Sequence, residues 1–236
     1  MCTVSFCPTK EGWLLTSSRD VKLSRPKAIF PTRKQFNQVG LLYPEDGLAE
    51  GTWIGVGTNK ISACLLNGAF QKHESASSYR KSRGLIVLDT LSSAQPLTYL
   101  NARLLEGIEP FTLILISDNV LVENRWDGQR LHKKLLSQAK RHLWSSATLY
   151  NEEIVQKRKS IFSDWKLDTR LTEKEIMHYH QSAFEELGAE NRALMSRPET
   201  NYATVSITCV KATEDESTVY YHDLVNNISD KAKISF

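Results

Sequence analysis

The sequence predicts an α+β domain with antiparallel sheets, and three observations carry this prediction. Short β-prone runs come in pairs joined by brief turns, which is the pattern of β-hairpins. Amphipathic segments long enough for helices stand between these pairs and again in the last third of the chain. Strand patterns occur near both ends of the chain, so both ends are expected to contribute strands.

The hairpins of the first half are marked by turn residues between apolar runs. Lys10-Glu11-Gly12 separates the first pair, Thr58-Asn59-Lys60 the second and Asp118-Asn119 the third. These patterns predict strands at residues 3–6, 13–17, 52–57, 61–66, 111–117 and 120–126. Hairpins join antiparallel strands. Residues 31–50 are predicted to form an irregular loop.

Helices are predicted at residues 82–91 and 94–105, the second with Pro96 in its first turn, where proline is tolerated. Asn151 opens a third helix, in which Ile154 and Phe162 share an apolar side; the basic run of residues 157–159 is predicted to face outward. Thr172 and Glu175 match a capping box that opens a fourth. Its apolar stripe comprises Ile176, Tyr179, Ala183, Phe184 and Leu187. Two final strands are expected at 202–210 and 217–222.

Length and composition predict one compact domain spanning residues 1–236, because 236 residues that are 41% hydrophobic suit one large core. The net charge of +3 comes from 30 basic and 27 acidic residues, a balance that gives no indication of a nucleic-acid partner. The longest strongly apolar run, residues 111–116, is too short to span a membrane. With no signal-peptide pattern, a cytoplasmic location is expected.

Four cysteines, Cys2, Cys7, Cys64 and Cys209, are irregularly spaced, without a CxxC pair or the Cys/His spacing of a zinc site. They are interpreted as reduced thiols, and no metal site is predicted.

Cys2 is the first candidate for chemistry. If Met1 is removed, Cys2 carries a thiol and a free α-amine whose ordinary pKa is about 7.7–8.0, near enough to neutrality to act as a general base for that thiol. The alternative is that Cys2 is only a small residue at a frayed terminus.

Arg19 and Asp20 follow the first hairpin at a strand end expected to lie beside Cys2. An arginine favours the thiolate of a neighbouring cysteine, and a carboxylate can orient the α-ammonium group. The alternative is an ion pair of little energetic value. Asn67 could donate its amide to an oxyanion, although asparagine before Gly68 is also an ordinary turn residue.

A family resemblance rests on several ordered motifs that span most of the chain. They are Met1-Cys2, residues 14–20, Ser24-Arg25-Pro26, residues 51–56, Leu66-Asn67, residues 82–85 and, more weakly, Trp126-Asp127-Gly128 and residues 144–150. Together they resemble the NRDE (transport and Golgi organisation protein 2-like) family. The family motif Asn-Arg-Asp-Glu is here Ser18-Arg19-Asp20-Val21, so the central charged pair is kept.

The resemblance implies an N-terminal nucleophile hydrolase-like fold, a four-layer αββα sandwich of two antiparallel sheets. It further implies that Cys2 is the nucleophile, with Arg19 and Asp20 as its tuning pair and Asn67 as an oxyanion donor. Ser146 stands where related acylases place a second polar donor, and it offers a hydroxyl where many family members carry an amide.

Two functions are expected from this resemblance. The first is a cysteine amidohydrolase that cleaves a non-peptide C–N bond of a small-molecule amide or acyl substrate through an acyl-enzyme, without a cofactor. The second is a non-catalytic binding and trafficking protein for haem or for an acyl-lipid or acyl-CoA. Haem would then be the cofactor, held by a thiolate or imidazole. The histidines available are His73, His132, His142, His178, His180 and His222.

His178 and His180 are two residues apart on a predicted helix and so do not share a face, which argues against a metal pair. A third function, nucleic-acid binding through the basic residues between Arg130 and His142, is disfavoured because the run lacks an interleaved aromatic platform.

Overall fold

The structure is a computed structural model that describes residues 3–165 and 171–236. The strands are β1 (Thr3–Pro8), β2 (Trp13–Lys22), β3 (Ile29–Phe36), β4 (Val39–Glu45), β5 (Ile54–Gly57), β6 (Ser62–Asn67), β7 (Phe111–Ile116), β8 (Leu121–Trp126), β9 (Leu131–Leu136), β10 (His142–Ser145), β11 (Ser196–Arg197), β12 (Tyr202–Ala212), β13 (Glu216–Asp223) and β14 (Ile228–Ser235). The helices are α1 (Arg83–Ser92), α2 (Pro96–Tyr99), α3 (Ala102–Leu105), α4 (Glu152–Asp164) and α5 (Glu173–Ser182).

Within the described ranges the strands form two antiparallel sheets of seven strands each. The first sheet has the order β10-β1-β2-β12-β13-β14, with β11 paired to β12. The second runs from β3 to β9 in chain order. The first sheet therefore joins strands from the two ends of the chain, and the predicted α+β class with antiparallel sheets is confirmed.

The two sheets face each other across an apolar core and are covered by helices on their outer faces. Val4 and Leu15 of the first sheet meet Val56 and Ile114 of the second in this core. Helix α1 packs on the outer face of the second sheet, while α4 and α5 pack on that of the first. The four-layer αββα arrangement is thereby confirmed.

Capping starts the two long helices of the outer layer where the sequence predicts. Asn151 accepts a hydrogen bond from the Ile154 amide at 2.9 Å, and Thr172 and Glu175 form the reciprocal capping box. Helix α5 ends at Ser182, earlier than its apolar stripe suggests, because Phe184 adopts a left-handed conformation with φ 66°. None of the described helices is both long and apolar enough to cross a membrane.

The prediction of an irregular loop at residues 31–50 is wrong. Most of that segment forms β3 and β4, which pair with a register shift between Ile29 and Thr32. Strand β3 lies at the edge of its sheet and carries mainly exposed polar side chains, so it lacks the apolar alternation that reveals a strand. Pro31 lies at the irregularity, where a missing amide donor is tolerated.

The single helix predicted at 94–105 is two short helices instead. The chain is extended at Leu100 and Asn101, and the Asn101 side chain accepts from the Leu104 amide at 3.0 Å to start α3. An asparagine that caps a new helix ends the preceding one.

Besides β3 and β4, four of the described strands, β9, β10, β11 and β14, have no counterpart among the predicted ones. The basic run between Arg130 and His142 contributes β9, a turn and the start of β10. Strand β9 is an edge strand whose side chains are largely exposed. Because it carries charged residues there, it lacks the alternation of apolar and polar residues by which a strand is recognised.

Candidate functional site

A pocket of about 510 Å³ lies where β2 and β6 end. Its walls are the last residues of β2, the segment between β4 and β5, Asn67, the first turn of α1 and Tyr202. Three of the predicted site residues, Arg19, Asp20 and Asn67, line this pocket together. Arg19 and Asp20 are each only 3% exposed, although both are charged.

Close backbone contact between two glycines shapes one wall. A Cβ on Gly51 would lie 2.4 Å from the carbonyl carbon of Gly84, so only glycine fits there. The Thr52 amide donates to the Gly84 oxygen at 3.2 Å, and Ser82 caps α1 by accepting from the Gly84 amide. This contact gives a physical reason for two of the motifs quoted above and brings the start of α1 to the pocket.

Asp46 connects the charged groups of the pocket. Its Oδ2 accepts from Arg19 Nη2 at 2.5 Å and from Arg25 Nε at 2.8 Å, while Oδ1 accepts from Arg25 Nη2 at 2.6 Å. Oδ1 also accepts from the amides of Leu48 and Ala49, which fixes the loop. Burial alone would raise the pKa of Asp46, but the hydrogen bonds from Arg25 and Arg19 hold it well below its usual range.

Sequence reasoning missed Asp46 altogether, because it falls in the segment predicted to be irregular. An Asp-Gly pair at a strand end is ordinary turn chemistry, and only the fold brings it to Arg19 and Arg25.

Arg19 is held between its carboxylate partner and an indole ring. Its guanidinium carbon lies 4.6 Å from the centre of the Trp53 ring, and the ion pair with Asp46 is buried. The ion pair therefore joins the end of β2 to the segment between β4 and β5.

Asn67 and Ser146 are in contact, but through the main chain of Asn67. Ser146 Oγ donates to the Asn67 carbonyl oxygen at 2.8 Å and lies 2.9 Å from Thr148 Oγ1. Ser146 is 1% exposed and is not among the described residues that line the pocket. Asn67 does line it, and this residue also ends β6 before Gly68, which has φ +80°.

Cys2 lies outside the described residues, and the first described residue is Thr3. Thr3 pairs with Ser18 on one side and with Ser145 on the other. These partners directly precede Arg19 and Ser146 in the sequence.

A buried polar layer lies between this strand end and the outer helices. Arg158, predicted to face outward, is fully buried and donates to Thr3 Oγ1 at 2.7 Å and to Ser145 Oγ at 3.0 Å. Its guanidinium carbon lies 4.3 Å from the ring centres of both Tyr150 and Phe184. The reason is helical spacing, since Arg158 is four residues from both Ile154 and Phe162 and so shares their face.

His180 belongs to the same layer. Its Nε2 lies 2.8 Å from Ser5 Oγ and its Nδ1 2.9 Å from Ser18 Oγ, and burial lowers its pKa to about 3. His178 is exposed, so the two histidines lie on different faces of α5 as predicted. The described residues contain no cluster of three metal-ligating side chains, and those that line the pocket include no histidine.

Comparisons with solved structures give the fold. The Caenorhabditis elegans ortholog of N-acylethanolamine-hydrolyzing acid amidase matches with a TM-score of 0.57 at 14% identity, over 88% of this chain and 92% of that chain. Two variants of conjugated bile acid hydrolase from Clostridium perfringens, a Cys-to-Ala and an Arg-to-Leu variant, match with TM-scores of 0.56 and 0.57. Both are 11% identical and align over 100% of this chain and 96% of theirs.

The chain therefore has the N-terminal nucleophile hydrolase-like fold of these neighbours. A search of curated proteins returned no significant match. The family model described as Transport and Golgi organisation 2 matches residues 1–226, almost the whole length. The chain belongs to the Transport and Golgi organisation 2 family.

Proposed function

We propose that this protein is a cysteine amidohydrolase that cleaves a non-peptide C–N bond, with Cys2 as its N-terminal nucleophile. The observation that carries the proposal is the meeting of Arg19, Asp20 and Asn67 in one pocket of a hydrolase scaffold. Cys2 is bonded to Thr3, whose strand partner Ser18 directly precedes Arg19. The proposed nucleophile thus directly precedes β1 in the sequence, and β1 pairs with β2, the strand that carries Arg19 and Asp20.

The reaction has two halves. The Cys2 α-amine accepts the thiol proton, the sulfur attacks the amide carbonyl, and the C–N bond breaks as the amine leaves with that proton. Water then attacks the resulting thioester, which releases a carboxylic acid and restores the thiol. No cofactor is needed for either half.

The pocket residues have separate roles in this proposal. The guanidinium of Arg19 favours the thiolate, and Asp20 orients the α-ammonium group. The Asn67 amide donates to the oxyanion. Ser146, whose hydroxyl already donates to the Asn67 carbonyl, acts as a positioning residue for Asn67 instead of a second oxyanion donor.

Binding of haem or of an acyl ligand without turnover is the competing function. The described pocket residues include no histidine, so a haem in this pocket would take its axial bond from the Cys2 thiolate or from Tyr202.

The test is the intact mass of purified protein before and after iodoacetamide at neutral pH, for the wild type and for Cys2→Ala. The chain supplies its own control, because Cys7, Cys64 and Cys209 are buried and burial raises the pKa of each to about 12. They should stay unlabelled until the protein is denatured.

Loss of Met1 together with one rapid adduct that is absent from Cys2→Ala supports the proposal and leads to a screen of small amides. Retention of Met1, or equal labelling of the wild type and Cys2→Ala, contradicts the proposal. Binding of haem or of an acyl ligand is then tested by titrating the protein with each ligand.

A further inference from the structure

The walls of the pocket carry more cationic than anionic side chains. Among the described residues that line it, the cationic ones are Arg19, Lys22, Arg25 and Arg83, and the acidic ones are Asp20 and Asp46. A concave site with one sign of charge in excess concentrates ligands of the opposite sign. The excess is local, since the whole chain carries only +3.

Asp46 shares its charge between two of these arginines. The single carboxylate accepts from both Arg19 and Arg25. Arg83 has a separate partner outside the pocket lining, Glu109, at 2.9 Å. With Arg83 paired in this way, the lining keeps three other cationic residues, Arg19, Arg25 and the exposed Lys22, against the two carboxylates of Asp20 and Asp46.

Arg25 is the member of this pair that a ligand can reach. Its side chain is 30% exposed, whereas that of Arg19 is 3% exposed. Asp46 occupies the Nε and Nη2 edge of Arg25, which fixes the plane of the guanidinium and leaves the other edge, Nη1 and Nη2, as the fork for an oxyanion. This residue belongs to the Ser24-Arg25-Pro26 motif, which the proposed chemistry does not use.

We propose that Arg25, oriented by Asp46, binds an anionic group of the substrate, a carboxylate, sulfonate or phosphate, and so makes the pocket selective for anionic amides. This inference rests on the proposed function, because it concerns the substrate of the same site. Arg25 acts as a binding residue and Asp46 as the residue that positions it.

Two alkylating probes that differ in one charge test this selectivity. Iodoacetate and iodoacetamide both alkylate a thiolate with loss of iodide, but only iodoacetate carries a carboxylate. The measured quantity is the ratio of their Cys2 labelling rates, normalised to the same ratio for the free peptide Cys-Thr-Val. The proposal expects a normalised ratio several-fold above one, which falls as potassium chloride screens the pocket.

Two substitutions of Arg25 separate its charge from its planar fork. Arg25→Gln removes both and should lower the normalised ratio roughly three-fold. Arg25→Lys keeps the charge but loses the fork that Asp46 orients, and should lower the ratio by less. Arg130→Gln, in an exposed turn away from the pocket, is the control and should change nothing.

A normalised ratio near one in the wild type, or an unchanged ratio in Arg25→Gln, overturns the anion site while Cys2 reactivity stands. Absence of Cys2 labelling by either probe overturns the proposed function, and the anion site falls with it.

Discussion

The hydroxyl of Ser146 donates to the main-chain oxygen of Asn67 across 2.8 Å, and this bond joins the two sheets beside the pocket. Ser146 follows β10 of the first sheet, and Asn67 ends β6 of the second. The position of the Asn67 amide, the proposed oxyanion donor, therefore depends on the loop after β10.

Ser146→Ala removes this bond and leaves the Asn67 carbonyl without the Ser146 donor. We expect the free energy of unfolding to fall by about 1 kcal/mol, measured by urea denaturation. Ser163→Ala, which alters an exposed serine on α4, is the control and should stay within experimental error. Equal stability of the two variants would contradict the role given to Ser146.

Arg158→Met should destabilise the protein by roughly 3 kcal/mol, because it leaves the hydroxyls of Thr3 and Ser145 without their buried donor and removes the contacts with two aromatic rings. Lys159→Met changes an exposed neighbour on the same helix and should cost less than about 0.5 kcal/mol. The free energy of unfolding of both variants is measured by chemical denaturation. A small decrease for Arg158→Met would show that the hydrogen bonds of Arg158 contribute little to stability.

His180 should make stability sensitive to acid. Its folded pKa of about 3 lies below the ordinary value of 6.5, so the unfolded chain binds the proton more readily. The stability that neutral His180 provides is complete above about pH 6.5 and is lost as the pH falls toward 3, by up to about 1.4 kcal/mol per pH unit.

The measurement is the urea midpoint at about pH 7 and about pH 5 for the wild type, His180→Gln and His178→Gln. His180→Gln should lose less stability between these pH values than the wild type. His178→Gln, which alters the exposed histidine of the same helix, should follow the wild type. Parallel behaviour of all three proteins would exclude His180 as the source.

Gly51→Ala should destabilise the protein by about 3 kcal/mol, since the added methyl meets the backbone of Gly84 and Leu85 at the start of α1. Gly40→Ala is the matched control, because its new Cβ would come closest to a side-chain methyl, that of Thr58 at 3.2 Å, and not to backbone. The thermal midpoints of the two variants are compared. A much lower midpoint for Gly51→Ala than for Gly40→Ala is expected if the close contact between Gly51 and Gly84 leaves no room for a methyl group.

The parts of the fold that could be predicted are those whose signal is local. The hairpin of β1 and β2 and the capped start of α5 each combine a hydrophobic period with turn or cap residues. The β3 and β4 pair could not be recognised, because an edge strand with polar side chains has no apolar alternation. The formation of β3 depends on its pairing with the neighbouring strand β4.

The candidate site divides in the same way. Arg19, Asp20 and Asn67 could be identified because they follow apolar runs and match family motifs. Asp46 and Arg158 could not, since a charged residue is expected to face solvent unless a partner is known, and both partners come from distant segments. A buried charged residue finds its partner only in the tertiary structure. The local sequence does not indicate which charged residues will be buried.

The lysines of β9 have a consequence for encounters between copies of the protein. Lys133 and Lys134 stand at one edge of the second sheet, and Arg33 and Lys34 stand on β3 at its other edge. A second molecule that tried to extend the sheet at either edge would bring a cationic strand against a cationic strand. The repulsion between them disfavours edge-to-edge joining of the second sheet into larger aggregates.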